Sequence, residues 1–346
     1  MKSGSFIDGP PPADAGLFGF YLEESQQQIV VIGVPWEVTT SYGRGTAAAP
    51  DAIVKASHQL DLFDPQLQRS FGQEVAMLPI SEKWRTWNRE CSALALPIIE
   101  AGGRVQGKLR HDLEKINQIG DQLNVELRCL VASLLEEGKR VAILGGDHAS
   151  PYGSILAHFD RYPGMGILHF DAHADLRVAY EGFLYSHASI MYNLVHEIPE
   201  LAALVSVGVR DFSEDEAQIA ENHPSIHAFY DHLIQAKLFQ GCSWHAICQE
   251  ILKPLPKEVY VSFDIDGLDP ACCPHTGTPV PGGLSFNQAV YLLEQVVASG
   301  RKIVGFDLVE VAPNAKDPDD EWDTNVGARL LHRLASLTYR SNGCKM

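Results

Sequence analysis

The chain has no CxxC pair, no basic run and no apolar stretch near the ~18 residues that a membrane helix requires, and each absence removes a class of function. Its seven cysteines (Cys91, Cys129, Cys242, Cys248, Cys272, Cys273 and Cys344) are odd in number, so neither a disulfide framework nor a cysteine-ligated zinc site is expected. Most of them read as reduced thiols packed in a core. Positive charge is scarce: 27 Lys and Arg stand against 44 Asp and Glu, a formal charge of -17. With no basic patch to offset that balance, nucleic acid and anionic membranes are poor partners. The opening MKSGSFIDGPPPADAG lacks the apolar centre of a signal peptide, so a cytoplasmic protein is expected. Internal repeats and low-complexity tracts are also missing, which sets aside repeat architectures.

What is present supports a large core, with 45% hydrophobic residues in a chain of 346. Eight short apolar runs begin at Gln28, Glu74, Arg140, Gly166, Ala203, Ser225, Glu258 and Lys302. Several are nearly continuous in Val, Ile and Leu, the pattern of parallel strands covered on both faces. Between them lie stretches of helical period: PDAIVKASHQLDLF from Pro50, EKINQIGDQLNVELRCLVASLLEEGK from Glu114, and SFNQAVYLLEQVVASG from Ser285. The last opens with a capping-box pair, Ser285 and Gln288, and closes at Gly300. This alternation predicts one three-layer α/β/α domain over residues 28–346 with a mainly parallel, eight-stranded sheet. Residues 1–27 form an N-terminal arm, rich in Pro and Gly, whose Phe6, Phe18, Phe20 and Tyr21 imply that it packs on something. Residues 81–112 read as an insertion between a strand and a helix. Both segments are expected to cover the mouth of a site.

Three of the strongest strand candidates end in ionisable side chains: GGDH (Asp147, His148), DAHAD (Asp171, His173, Asp175) and FDID (Asp264, Asp266). In open parallel sheets ligands bind beyond the carboxyl ends of strands. Within DAHAD and FDID the charged residues recur at every second position, so they emerge on one side of an extended backbone. A lone GGDH reads as a strand-to-helix turn with Asp as a cap, and an isolated DxD as solvated or capping. DAHAD is more specific, because a cap explains at most one of its acids. Five carboxylates and two imidazoles at one sheet edge would repel and suffer on desolvation unless cations joined them. Together the three segments point to a metal site. Rich in oxygen donors, with two imidazoles and no thiolate, it suits Mn²⁺, Co²⁺ or Ni²⁺.

In this order, GGDHAS, DAHAD and SFDIDGLDP resemble the three signature segments of the ureohydrolases, the arginase and agmatinase family. The likeness runs from VIGVPWEVTTSYGRGTAAAPDAI near residue 31 to NVGARLLHRL near residue 334. It implies an arginase-type fold, two divalent metal ions (Ni²⁺ or Mn²⁺), and hydrolysis of a guanidino group with release of urea. The matching ligands are His148, Asp171, His173, Asp175, Asp264 and Asp266, with Asp171 and Asp264 as bridging carboxylates; Asp147 falls outside the set as a supporting or capping residue. Asp175 matches the residue that protonates the leaving nitrogen, His187 a proton-shuttling histidine, and Glu310 the acid that holds the guanidinium. The string DAHADLR…YEGF…YSHAS, followed by CPHTGTPVPGG, is most similar to the branch of guanidine and metformin hydrolases. Arg177, placed where an arginase offers a short amide, is expected to change the channel's shape and charge. The substrate expected is therefore guanidine or a small alkylated guanidine or biguanide, with agmatinase or guanidinobutyrase activity as the alternative. A silent partner subunit or a zinc deacylase of the same fold is the reading of another class; the complete ligand set argues against both. The resemblance further implies a homo-oligomer, trimeric or hexameric, or a hetero-oligomer with a related subunit.

Overall fold

In the computed structural model, which describes residues 11–12, 14–21 and 27–343, all eight apolar runs become neighbours in one sheet. In chain order the elements are β1 (Ile29–Val34), α1 (Ala49–Ser57), β2 (Phe63–Asp64), β3 (Arg69–Ser70), β4 (Val75–Met77), α2 (Glu82–Glu100), α3 (Lys108–Glu136), β5 (Arg140–Gly145), α4 (Tyr152–Arg161) and β6 (Gly166–Phe170). There follow α5 (Ile190–Glu197), β7 (Ala203–Val207), α6 (Glu214–Asn222), β8 (Ile226–Phe229), α7 (Asp231–Phe239), α8 (Trp244–Leu252), β9 (Glu258–Asp264), α9 (Phe286–Ala298), β10 (Lys302–Val309) and α10 (Trp322–Ser341). The sheet runs β4-β1-β5-β10-β9-β6-β7-β8, and every pairing in it is parallel. Three of its four central strands, β5, β9 and β6, end in the charged motifs, and β10 between β5 and β9 leads into Glu310.

Period-two burial explains the three layers. Val141 and Ile143 of β5 pack with α2 and α3 on one face, while Ala142 and Leu144 join α1, α9 and α10 on the other. Helices α4 to α6 complete the first face. Helix α9 begins as read: the Ser285 Oγ accepts the Gln288 N–H, and the Gln288 side chain returns the bond to the Ser285 N–H. Helix α1 is shorter than expected. It stops at Ser57, and the residues beyond lead into the small β2–β3 hairpin. The hairpin's Asp64 is buried and accepts from the N–H groups of Gln66 and Leu67, from the Ser336 hydroxyl and from Arg333, which ties it to α10. These tertiary partners, remote in sequence, override the local helical pattern.

The expected covering role of the N-terminal arm does not hold for its described residues. The Phe18 N–H donates to the Ser57 Oγ, and its ring meets that of His332 edge-on at 5.3 Å, at the end of α1 away from the charged strand ends. Phe6 lies outside the described residues. Residues 81–112 form α2, a turn and the start of α3. In that turn Gly103 has a left-handed φ of 71° and passes so near the chain that an added Cβ would stand 2.8 Å from the Glu181 Cα. The expected core packing of the cysteines holds for Cys91, Cys248 and Cys273, whereas Cys129 and Cys242 are exposed; the six described cysteines are all free. Among the described residues no helix is long and apolar enough to cross a membrane.

Candidate metal centre

Close approach at the end of β5 starts the site. Gly146 passes the turn after β1 so tightly that a Cβ would lie 2.0 Å from the Trp36 carbonyl oxygen, and this path delivers Asp147 and His148 to the sheet edge. The segment after β6 carries Asp171, His173 and Asp175; β9 ends in Asp264, with Asp266 in the short turn that follows. Asp175 and Glu310 both adopt left-handed backbone, φ 54° and φ 60°. Such strain in a non-glycine residue persists only where the surroundings enforce it.

All six expected ligands converge. The His148 Nδ1 lies 3.0 Å from Asp171 Oδ2, 3.1 Å from Asp175 Oδ2 and 3.4 Å from Asp264 Oδ2. The His173 Nδ1 lies 3.4 Å from Asp171 Oδ1 and 3.1 Å from Asp266 Oδ2. Two groups there could hold a metal ion, His148 with His169, Asp171 and Asp175, and Asp171 with His173 and Asp266, and they share Asp171. Asp264 accepts the Asp266 N–H on Oδ1 (2.8 Å) and belongs to neither group as its side chain is placed. Asp266 in turn accepts the Ala172 N–H at 2.9 Å, which locks the second and third segments together.

The electrostatics are those of a cluster short of positive charge. Burial raises Asp264 well above the usual carboxylate range, and the charges of Asp266 and Asp171 raise it further. Burial and the Asp171 charge lift Asp175 to about 6. For Asp171 the imidazoles of His169, His148 and His173 outweigh the upward effect of burial and hold it well below its ordinary value. Burial would lower His148, but the carboxylates of Asp171, Asp175 and Asp264 around it keep it well above the usual range. Asp175 Oδ2 and Glu310 Oε2 are buried without a hydrogen-bond partner, an arrangement that a bound cation or a cationic ligand would relieve. The donor set therefore fits divalent metal.

Around this cluster Glu310, at the end of β10, accepts the His148 N–H on Oε1 at 2.9 Å. His187 is half-buried, with Nδ1 2.9 Å from the Thr39 Oγ1. Asp147, outside the ligand set, accepts the Ala149 N–H at 3.1 Å and approaches Thr39. Arg177 does not simply add a free cation to the channel. Its guanidinium lies 4.9 Å above the Tyr180 ring, and its Nε is 3.5 Å from Glu216 Oε2.

A row of polar residues unremarked in the sequence runs across the sheet beneath the ligands. Asp307, Ser262, His169 and Ser206 are successive cross-strand partners on β10, β9, β6 and β7. The His148 Nε2 contacts Ser262 Oγ at 2.9 Å, Ser262 donates to Asp307 Oδ1 at 3.1 Å, and the His169 Nε2 meets Asp171 Oδ2 at 2.8 Å. A signal for His169 existed: it precedes Asp171 by two, so the alternation that picks out DAHAD extends back to it.

The sequence pattern of the arginase family matches residues 27–336. An N(1)-aminopropylagmatine ureohydrolase of Thermus thermophilus is 31% identical over 294 residues, 84% of this chain and 85% of the relative. An agmatinase of Bacillus subtilis is 30% identical over 316 residues, 90% of this chain and 92% of the relative. Among solved structures, a hypothetical agmatinase from Burkholderia thailandensis is similar with a TM-score of 0.70 at 25% identity, covering 95% of this chain and 92% of that one. Proclavaminate amidino hydrolase from Streptomyces clavuligerus shares the fold with a TM-score of 0.69 at 22% identity, covering 99% of this chain and 98% of that one. With the family pattern spanning almost the whole chain and relatives matched along most of their length, the protein belongs to the arginase family of ureohydrolases, hydrolases that act on amidino C–N bonds.

Proposed function

We propose that this chain is a binuclear metal hydrolase that releases urea from a small guanidino compound lacking an α-carboxylate, guanidine or a short alkylated guanidine or biguanide such as metformin. The observation that carries the size limit is burial. None of His148, Asp171, Asp175, Asp264, Asp266 and Glu310 is more than 4% exposed, and His173, with 24% of its side chain accessible, is the widest opening among them. The Tyr180 ring stands edge-on to that of His187, 6.3 Å away, and further restricts a long tail.

His148 and Asp175 would hold one ion and His173 and Asp266 the other, with Asp171 and Asp264 between them. Two divalent cations, when bound, lower the pKa of a shared water enough to supply a nucleophile near neutral pH. Glu310 has one oxygen fixed by the His148 N–H and the other free, so it can pair with the guanidinium and fix its carbon over the cluster. Asp175, buried among the ligands with no hydrogen bond on Oδ2, would pass a proton to the departing nitrogen. His187 would carry protons between the cleft and the reacting atoms.

Agmatine is the second reading, favoured by the relatives from Thermus thermophilus and Bacillus subtilis, described as an aminopropylagmatine ureohydrolase and an agmatinase. Urea release from guanidine, metformin, agmatine, arginine and 4-guanidinobutyrate, by protein loaded with Mn²⁺ or Ni²⁺, separates the two. A kcat/KM for agmatine or arginine more than about tenfold above those for guanidine and metformin would overturn the small-guanidine preference and leave the ureohydrolase chemistry standing.

A further inference from the structure

Three segments distant in sequence meet at one hydroxyl. Thr39, 2% exposed in the loop after β1, accepts the His187 N–H on Oγ1 at 3.0 Å, faces the His187 Nδ1 at 2.9 Å, and lies 3.4 Å from Asp147 Oδ2. Its own N–H is directed at the same carboxylate oxygen, at 3.5 Å. A hydroxyl has one hydrogen and two lone pairs. The His187 N–H takes one lone pair. When ionised, the Asp147 carboxylate can only accept, so the hydroxyl hydrogen goes to it. The lone pair that remains faces Nδ1, which must then carry the imidazole proton, leaving Nε2 with a bare lone pair. No hydrogen bond engages Nε2 among the described residues. The Asp147 end is fixed as well, because its other oxygen accepts the Ala149 N–H.

We infer that Thr39 is a positioning residue for the reaction: bridging Asp147 to His187, it selects the Nδ1–H tautomer and presents Nε2 to the cleft as a proton acceptor. The inference rests on the reading of His187 as the proton-transfer group. Rotation of the ring is opposed at the same time, since the hydroxyl that meets Nδ1 also holds the His187 backbone N–H. Valine would fill the same volume and lose all three polar contacts of the hydroxyl, whereas serine would keep them.

The test uses full-length Thr39→Val and Thr39→Ser proteins. Histidine-labelled, metal-free protein is examined by ¹⁵N NMR at alkaline pH, where Asp147 is ionised, with the His187 signals assigned from their loss in His187→Ala. Wild type and Thr39→Ser should show a protonated Nδ1 and an unprotonated Nε2, and Thr39→Val should shift towards the Nε2–H tautomer. In metal-loaded protein Thr39→Val should lose on the order of 10- to 100-fold in kcat with unchanged metal content and little change in KM, and Thr39→Ser should recover most of it. A wild-type protein with Nε2 protonated, a Thr39→Val protein matching wild type in tautomer and kcat, or a Thr39→Ser protein as impaired as Thr39→Val would each overturn the inference. If wild type released urea from no guanidino compound, the functional reading would fail, and the tautomer comparison would still decide the role of Thr39.

Discussion

Asp171 touches three imidazoles and alone belongs to both groups of candidate ligands. Its replacement should therefore cost more than one ligand. Asp171→Ala is expected to abolish urea release and to lower metal content, measured by mass spectrometry, to one ion per chain or none; two retained ions with near-normal turnover would remove the shared role. His187→Ala should keep both ions while kcat falls, and loss of an ion in that variant would mean that His187 is misassigned. Glu310→Gln keeps an oxygen for the His148 N–H but removes the charge facing the substrate, so kcat/KM should drop by about 100-fold or more, with both ions retained. At this scale the ligands were legible because their charge interrupts apolar strands at a period of two. Thr39, Ser262 and Asp307 were not, because a hydroxyl or a single acid carries no periodic signal, and their partners lie far away in sequence.

Each element contributes the end of a strand, and its register decides whether the ends coincide. The Asp264 of β9 pairs with Val309 of β10, which places Glu310 one step beyond the level of the ligands. Gly146 sets the corresponding height for β5. Gly146→Ala would force its Cβ against the Trp36 backbone carbonyl, which has no flexible end to move aside, so a loss of about 1–3 kcal/mol in stability and weaker metal retention are expected, read by denaturant unfolding and metal titration. Unchanged unfolding and full metal content in that variant would show that the turn yields easily. Strand positions were legible because buried parallel strands are nearly continuous in apolar residues. The end of α1 was not, since Asp64 draws the chain into a hairpin through partners on α10.

For the whole molecule, pH and metal act on one balance. In metal-free protein burial lifts Asp147 to about 7, and for His173 the carboxylates of Asp266 and Asp171 overcome the opposing effect of burial and raise it to about 12. A folded value above the unfolded one means that folding takes up protons, so this stabilisation is present below the unfolded value and is lost as pH rises through the folded one. His187 and His158, lowered to about 4 mainly by burial, act in the opposite sense, but only below their ordinary value of 6.5. Between about pH 6.5 and 8.5 the chelated protein should thus lose thermal stability, and the gain in Tm on adding Mn²⁺ or Ni²⁺ should grow. Calorimetry showing a constant or rising Tm for chelated protein across that range would contradict this. The sheet order also has a consequence for biosynthesis. β10 lies at the centre of the sheet yet is its last strand to leave the ribosome. Until it emerges, the growing chain can pair β4-β1-β5 and β9-β6-β7-β8, two half-sheets that each expose an apolar edge towards the gap. Translation that stops before Lys302 would release both edges unpaired, so chaperone demand and aggregation should peak late in synthesis and fall sharply once β10 inserts.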